Sequence, residues 1–139
     1  MQPRDLHEVT STTALTVQRA GYLAAVAQIF ACFIPVVSIP TIYTLTWLET
    51  GLPGELILAL ALCSAWFVHR KRYDRAAWCG AVSAIVAWVV YFEIMFQGPR
   101  ITIDPNTWYG GSPAIGLFIS MLAPIVLVAL PIVTRRHIA

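Results

Sequence analysis

A carboxylate inside an apolar stretch is the first candidate for chemistry in this sequence. Glu93 is the only acidic residue within an apolar run, and it lies about one helical turn from the end of that run. Carboxylates in membrane-spanning segments are costly and often mark a binding or proton-handling site. A glutamate at this depth can also simply reach the headgroup region with its flexible side chain, which is the alternative interpretation.

Residues near Glu93 in the sequence predict a pocket around it at the outer side of the membrane, the side away from most of the basic residues. Gln97 lies four residues further on and shares the helix face of Glu93 if the helix persists that far. Arg100 could fold back to pair with the carboxylate. The segments between the first and second and between the third and fourth apolar stretches add two more acids and three aromatic side chains: Glu49, Asp104, Trp47, Trp108 and Tyr109. A cation or a small amphipathic ligand would suit such a pocket.

Gln28 is a second candidate, because it lies in the middle of the first apolar stretch. A buried amide in a membrane helix usually hydrogen-bonds a neighbouring helix, so a structural role is the favoured interpretation. Contact with a ligand is the alternative. The sequence therefore adds Gln28 to the candidate binding residues without assigning it a partner.

Metal, cofactor and covalent chemistry have no positive support in the sequence. The three cysteines lie in apolar stretches without CxxC spacing or a nearby histidine, so neither a disulfide nor a zinc site is expected. His69 and His137 could ligate haem or a metal, but both lie beside arginines at the edge of an apolar stretch, where solvated side chains are expected. No Ser/His/Asp set and no HExxH, P-loop or GxGxxG motif occurs. We therefore favour a non-enzymatic function, assign no catalytic residue or metal ligand, and identify no cofactor.

The composition places these candidates in a membrane protein. Hydrophobic residues make up 58% of the 139 residues, charged residues only 12%, and the mean hydropathy is +0.72. Charged residues supply about a quarter of a typical soluble domain, so this chain has too little polar surface to cover a water-soluble globule. We expect one all-α transmembrane domain over residues 20–139, preceded by a cytoplasmic tail over residues 1–19.

Four apolar stretches are long enough to cross a membrane as helices in two hairpins, since a crossing takes about 20 residues. They cover roughly residues 20–39, 52–69, 76–96 and 113–134. Pro35 predicts a kink in the first span, because proline removes a backbone hydrogen bond. Ser112 and Pro113 predict the cap and first position of the fourth span, and Pro124 and Pro131 predict bends within it.

The basic residues predict the orientation in the membrane. Of the nine Lys and Arg residues, eight lie in the N-terminal tail, the middle loop or the C-terminal tail: Arg4, Arg19, Arg70, Lys71, Arg72, Arg75, Arg135 and Arg136. Cytoplasmic loops retain such residues, so both termini are predicted to be cytoplasmic. The distribution of charge indicates orientation and not nucleic-acid binding. We expect a multi-pass protein of the plasma membrane or of a bacterial inner membrane.

The two outer segments resemble each other. Residues 41–47 and 102–108 both begin with Thr-Ile and end with Thr-Trp, and Trp108 follows Trp47 by 61 residues. A duplicated hairpin would give parallel tandem repeats, which occur in some transporters. Chance, together with the shared demands on any outer loop, is the alternative explanation.

Three functions fit these observations. The first is a small transporter or channel-like protein for a small molecule or ion, with an outer-facing site near Glu93. The second is a non-catalytic subunit or regulator of a larger membrane complex, which the small size and short loops favour. The third is a membrane enzyme acting on a lipid or isoprenoid, with Glu93 as acid or base. The expected partners are the lipid bilayer and either a larger membrane complex or further copies of this chain.

Overall fold

The structure is a computed structural model that describes residues 3–39, 43–97, 101–104, 107–109 and 112–138, with side chains described over 14–38, 44–96 and 113–136. Four α-helices make up most of it: α1 (Pro3–Ala31), α2 (Leu52–His69), α3 (Tyr73–Gln97) and α4 (Ile115–Ile138). Between them lie a 3-10 helix (Trp47–Thr50) and five short strands: β1 (Pro35–Ile39), β2 (Tyr43–Thr46), β3 (Ile101–Asp104), β4 (Thr107–Tyr109) and β5 (Ser112–Pro113). The helical class predicted from the sequence is confirmed, whereas the strands were not predicted.

The helices form a four-cornered bundle. α1 packs against α2 and α4, and α3 packs against the same two helices. α1 and α3 therefore occupy opposite corners. The turn over residues 70–72, together with the end of α4, marks what we call the basic end of the bundle, and the opposite end is called the outer end.

The two middle helices agree with the sequence-based boundaries. α2 begins at Leu52 and ends at His69, as predicted. Pro53 lies in its first turn, where backbone N–H groups have no acceptor within the helix, so the N–H that proline lacks is not needed. Glu55 in the same turn complements the positive end of the helix dipole. α3 extends the predicted span 76–96 slightly at both ends, to Tyr73–Gln97.

The first span departs from the prediction. Its helix begins at Pro3 and ends at Ala31, eight residues before the predicted end at residue 39. The kink predicted at Pro35 is wrong, because the helix has already ended there. Proline gives no N–H to a helix and disfavours the helical conformation of the residue before it. The chain turns over residues 32–34 and then runs extended as β1.

β1 is the middle strand of an antiparallel sheet at the outer end, with the strand order β2-β1-β5. Ser38 pairs with Thr44 of β2 on one side and with Ser112 of β5 on the other. Val36 and Val37 are buried, in keeping with the preference of β-branched side chains for strands. Both edges of this strand are therefore paired within the protein.

The sheet also changes where the fourth helix begins. Ser112 and Pro113, predicted to cap and start this helix, pair with β1 instead, and α4 begins only at Ile115. A Cβ at Gly116 would lie 2.6 Å from the Ile34 carbonyl oxygen, so glycine permits the chain before β1 to cross α4 this closely. α4 continues as a helix through both of its internal prolines, and the predicted bends there stay predictions.

Buried residues recur every three or four positions along the helices and form two apolar clusters, as expected for helix faces that pack together. The outer cluster contains Cys32, Val36, Val37, Trp47, Ile57, Ala87, Ile94, Leu117 and Met121. The inner cluster, nearer the basic end, contains Val17, Ala24, Val68, Ala76, Leu127 and Leu130. All four helices contribute to the inner cluster, whereas the outer cluster draws Cys32, Val36 and Val37 from the turn and strand that follow α1.

Within the described part of the chain, three helical segments are long and apolar enough to cross a membrane: Leu52–His69, Tyr73–Phe96 and Ile115–Arg136. Large apolar side chains on them face outward, and Trp78 and Phe96 are 74% and 82% exposed. Soluble proteins rarely expose large contiguous apolar patches, whereas lipid requires no cover over them. These helices are consistent with an integral membrane protein.

The two outer segments that resemble each other in sequence differ in local structure. Trp47 begins the 3-10 helix, whereas Trp108 lies within β4 and pairs with Thr102 of β3. β1 is paired on both sides, while β3 and β4 form a two-stranded sheet. The internal duplication stays a prediction.

Candidate functional site

Glu93 lies on the outer part of α3, on a side of the helix that faces away from the core. Its side chain is exposed, whereas that of the next residue, Ile94, is 8% exposed and belongs to the outer cluster. Successive helical residues point in directions about 100° apart, which accounts for the difference. Phe92, which precedes Glu93, and Phe96, three residues after it, are also exposed.

The other residues of the predicted outer pocket are only partly described. α3 continues to Gln97, so the helix persists far enough for Gln97 to share the face of Glu93, as the prediction required. The Gln97 side chain lies outside the described residues. Arg100 lies outside them altogether. The structure places Asp104 at the end of β3 and Trp108 and Tyr109 within β4, again without described side chains. The pocket therefore stays a prediction.

Trp47 is placed in the core instead of on an outer wall. Its side chain is completely buried, and its Nε1–H donates to Ser120 Oγ at 2.7 Å. The Ser120 hydroxyl in turn donates to the Gly116 carbonyl at 2.9 Å.

Glu49 caps the start of the 3-10 helix. Its carboxylate accepts a hydrogen bond from the Thr46 N–H at 2.7 Å, which is half of a capping box. The sequence Thr46-x-x-Glu49 could have indicated this motif.

Gln28 is completely buried, and neither its Nε2 nor its Oε1 has a hydrogen-bond partner among the described residues. The favoured sequence interpretation, a hydrogen bond to a neighbouring helix, is therefore wrong for the described part of the chain. The residue faces the bundle interior, because Ala24 and Cys32, one turn away on either side, belong to the inner and outer clusters. A completely buried amide without a partner among the described residues is the most unusual feature of the core.

Each helix has small or polar buried residues at the level between the two clusters. On α3, Ser83 lies between Ala76 of the inner cluster and Ala87 of the outer cluster. On α2 and α4, too, small or polar buried residues lie between residues of the outer cluster and residues of the inner cluster. We call this set the central layer, and it consists of Gln28, Ala61, Ser64, Ser83, Ala123 and Pro124.

The central layer contains a third unsatisfied atom on the opposite corner from Gln28. Ser83 is completely buried, and its Oγ has no partner among the described residues. Ser64 differs, because its hydroxyl donates to the Leu60 carbonyl at 2.8 Å. Pro124 has no N–H to give to the Ser120 carbonyl four residues earlier, so that oxygen lacks its usual helical bond.

The chemistry of the central layer is that of a neutral hydrogen-bonding site. An amide offers two donors and one carbonyl acceptor, and a hydroxyl offers one donor and acceptor lone pairs. The buried polar side chains of the described residues are Gln28, Ser64, Ser83 and Ser120, none of which carries a charge. Such groups can hold a small neutral polar molecule, whereas a buried ion would lack a compensating charge.

The histidines and cysteines do not form a metal site in the described part of the chain. There, no group of three or more His, Cys, Asp or Glu side chains could hold a metal ion. His69 Nδ1 lies 2.7 Å from Tyr22 Oη, so this imidazole is hydrogen-bonded between α1 and α2. The side chain of His137 lies outside the described residues.

The Trp47–Ser120 contact predicts a measurable stability difference. Ser120→Ala leaves the Trp47 Nε1–H buried without an acceptor, and we expect the free energy of unfolding to fall by about 1–3 kcal/mol. Unfolding in mixed micelles measures this change. Ser64→Ala is the matched control, because the Ser64 hydroxyl donates to the Leu60 carbonyl of its own helix, and its loss leaves no buried N–H without an acceptor. A double-mutant cycle with Trp47→Phe that shows no coupling between the two positions would contradict the contact.

Comparisons with protein-family models, with curated proteins and with solved structures found no match to this chain.

Proposed function

We propose that this chain is a small membrane transporter or channel-like protein that conducts a small neutral polar solute through its helical bundle. The observation that carries the proposal is Gln28, a completely buried amide in the middle of the bundle whose two polar atoms have no partner among the described residues. Polar residues inside membrane segments are rare and commonly line substrate pathways. The central layer is the proposed binding site.

The energetics support a role for Gln28 other than packing. A buried polar group left unsatisfied costs about 1–3 kcal/mol, whereas an apolar side chain of the same shape avoids that cost. Leucine would fill a similar volume without it. A solute that hydrogen-bonds Gln28 and Ser83 would satisfy the three atoms that have no protein partner in the described chain.

Glu93 has a different place in this proposal. Its carboxylate lies near the outer end of the bundle and on the outside of α3, not in the central layer. It would act with the predicted outer-pocket residues at the entrance, where a small ligand or ion first arrives. The central layer, and not Glu93, would then determine which solute passes.

Gln28→Leu is expected to abolish solute flux without weakening the fold. The substitution removes the hydrogen-bonding groups from the central layer and also removes their desolvation cost, so the free energy of unfolding should stay the same or rise. Swelling of liposomes containing the protein, with glycerol and urea as probes, measures the flux. Unfolding in mixed micelles measures stability.

Gln18→Leu provides the matched control, since Gln18 lies on the same helix but is only partly buried and outside the central layer. It should keep the wild-type flux. Equal flux through wild type, Gln28→Leu and protein-free liposomes would rule out the proposed route through the central layer.

The proposed topology has four crossings with both termini in the cytoplasm. The apolar part of α1 after Arg19 covers residues 20–31, or about 18 Å of helix, which is less than the roughly 30 Å hydrocarbon core. β1 would complete this crossing. Non-helical backbone is tolerated at membrane depth where protein surrounds it, and β1 is paired on both edges.

Cysteine labelling tests this topology. In a chain whose native cysteines are replaced, Thr44→Cys at the exposed face of β2 should react with an impermeant reagent added to intact cells. Arg70→Cys, exposed in the basic turn, should react only after the membrane is permeabilised. The reverse pattern would show that the basic end faces outward.

A second candidate, a subunit of a larger membrane complex, is favoured by the surface around Glu93. Trp88, Phe92 and Phe96 form a row along α3, with ring centroids 5.7 and 5.9 Å apart, and all three are exposed. A carboxylate on such an apolar surface is costly in lipid unless another group binds it. A donor side chain from a partner protein would satisfy Glu93.

Native mass spectrometry of the full chain, extracted from its own membranes in mild detergent, tests the subunit role. A stoichiometric protein partner that is lost in Glu93→Gln but kept in Glu55→Gln would support it. Glu55 is the matched control, because it is also exposed near the outer end but lies on α2, away from the aromatic row. The absence of any partner, or equal loss in both variants, would count against this role.

A further inference from the structure

The basic end of the bundle contains a cleft between the α2–α3 turn and the last turns of α4. Its volume is about 480 Å³. Four basic side chains line it, together with one acid: Lys71, Arg72, Arg75, Arg135 and Asp74. The cleft thus has four positive groups against one negative group. Asp74 is already engaged, since one of its oxygens lies 3.1 Å from Arg135 Nη2.

The cleft continues into an apolar groove that runs along the surface between α3 and α4. The groove shares Asp74 and Pro131 with the cleft, and its volume is about 290 Å³. Its remaining walls are apolar: Ala77, Trp78, Ala81 and Val128. Small residues on α3 leave room there, and Trp78 stands 74% exposed at its side. Positive charge at one end and apolar walls beyond it are the two halves of a phospholipid-binding surface.

We propose that this surface binds one anionic phospholipid, with the phosphate headgroup in the basic cleft and an acyl chain in the groove. Guanidinium groups match the geometry of phosphate oxygens, and lysine adds a point charge. Basic pockets between membrane helices commonly receive acidic headgroups. The proposal requires that α3 and α4 cross the membrane, and it does not depend on the role of the central layer.

The N-terminus of α3 favours the same ligand. Tyr73 and Asp74, the first two residues of this helix, line the cleft. The first N–H groups of a helix have no helical acceptor, and its positive dipole end attracts anions. Arg72 lies directly before the helix, and its carbonyl accepts from the Arg75 and Ala76 N–H groups, so its backbone is held while its side chain is exposed.

Native mass spectrometry of the full chain in mild detergent tests the proposal with defined lipids. Phosphatidylglycerol should bind more tightly than phosphatidylcholine with the same acyl chains. In the double variant Lys71→Gln and Arg72→Gln, phosphatidylglycerol should bind more weakly by about fivefold for each charge removed. Equal binding of the two lipids to wild type, which needs no variant, would overturn the proposal.

Arg70→Gln is the control for charge. Arg70 lies in the same turn but does not line the cleft, since its guanidinium lies 4.9 Å from the centre of the Trp66 ring. This variant should bind phosphatidylglycerol like wild type. A loss equal to that produced by Lys71→Gln or Arg72→Gln alone would show a diffuse surface charge effect and no defined cleft.

Ala81→Trp tests the groove, because the indole would occupy the space assigned to the acyl chain. It should weaken phosphatidylglycerol binding, whereas Ala59→Trp at an exposed position of α2 should not. Unchanged binding in Ala81→Trp, together with displacement of the lipid by millimolar inorganic phosphate, would identify a site for free phosphate and overturn the lipid assignment. Circular dichroism confirms that each variant is folded.

Discussion

The backbone of the first apolar stretch does not remain helical beyond Ala31, and the outer half of the molecule is organised around that constraint. Pro35 gives no N–H to a helix and restricts Ile34 before it. In lipid the freed backbone groups would find no water, so they need partners within the protein. β1 finds them on both edges, and its pairing with β5 delays the start of α4. Trp47, which follows β2, is buried beneath this arrangement and hydrogen-bonds Ser120.

The central layer is the place where the core departs from the packing that stability alone would select. Gln28 and Ser83 contribute three unsatisfied polar atoms in the described chain, each of which costs about 1–3 kcal/mol. Native stabilities are only about 5–15 kcal/mol in total, so this cost is a large fraction of the whole. In the apolar clusters on both sides, by contrast, the buried residues are apolar, and the Trp47 N–H of the outer cluster is hydrogen-bonded. This contrast between the apolar clusters and the central layer is the reason why we propose that the central layer binds a ligand.

The sequence predicts α2 to the residue because a glycine and a proline mark its start and a basic turn marks its end. It does not predict β1, since a short and mostly apolar run such as Pro35–Ile39 has the same hydropathy in a strand as in a continuing helix. Trp47 shows a further limit, because its partner Ser120 lies 73 residues away and no local pattern indicates the pairing. The sequence identifies Gln28 as buried, but whether its amide finds a partner depends on three other helices. The outer pocket around Glu93 depends on residues beyond those described.

The central layer and the basic cleft differ in a way that separates their roles. The buried polar side chains of the layer are neutral, so the layer has no charge with which to retain an anion. The cleft carries four basic groups and lies at the basic end of the bundle, where the proposed topology puts the lipid headgroups. An exposed ion pair such as Asp74–Arg135 adds little stability in water, but it holds the start of α3 to the end of α4 beside the groove. An anionic lipid seated there would link the same two helices from outside the bundle. The lipid would stabilise the packing of α3 against α4. It would not contact Gln28, which lies on α1 and would still be able to bind a solute.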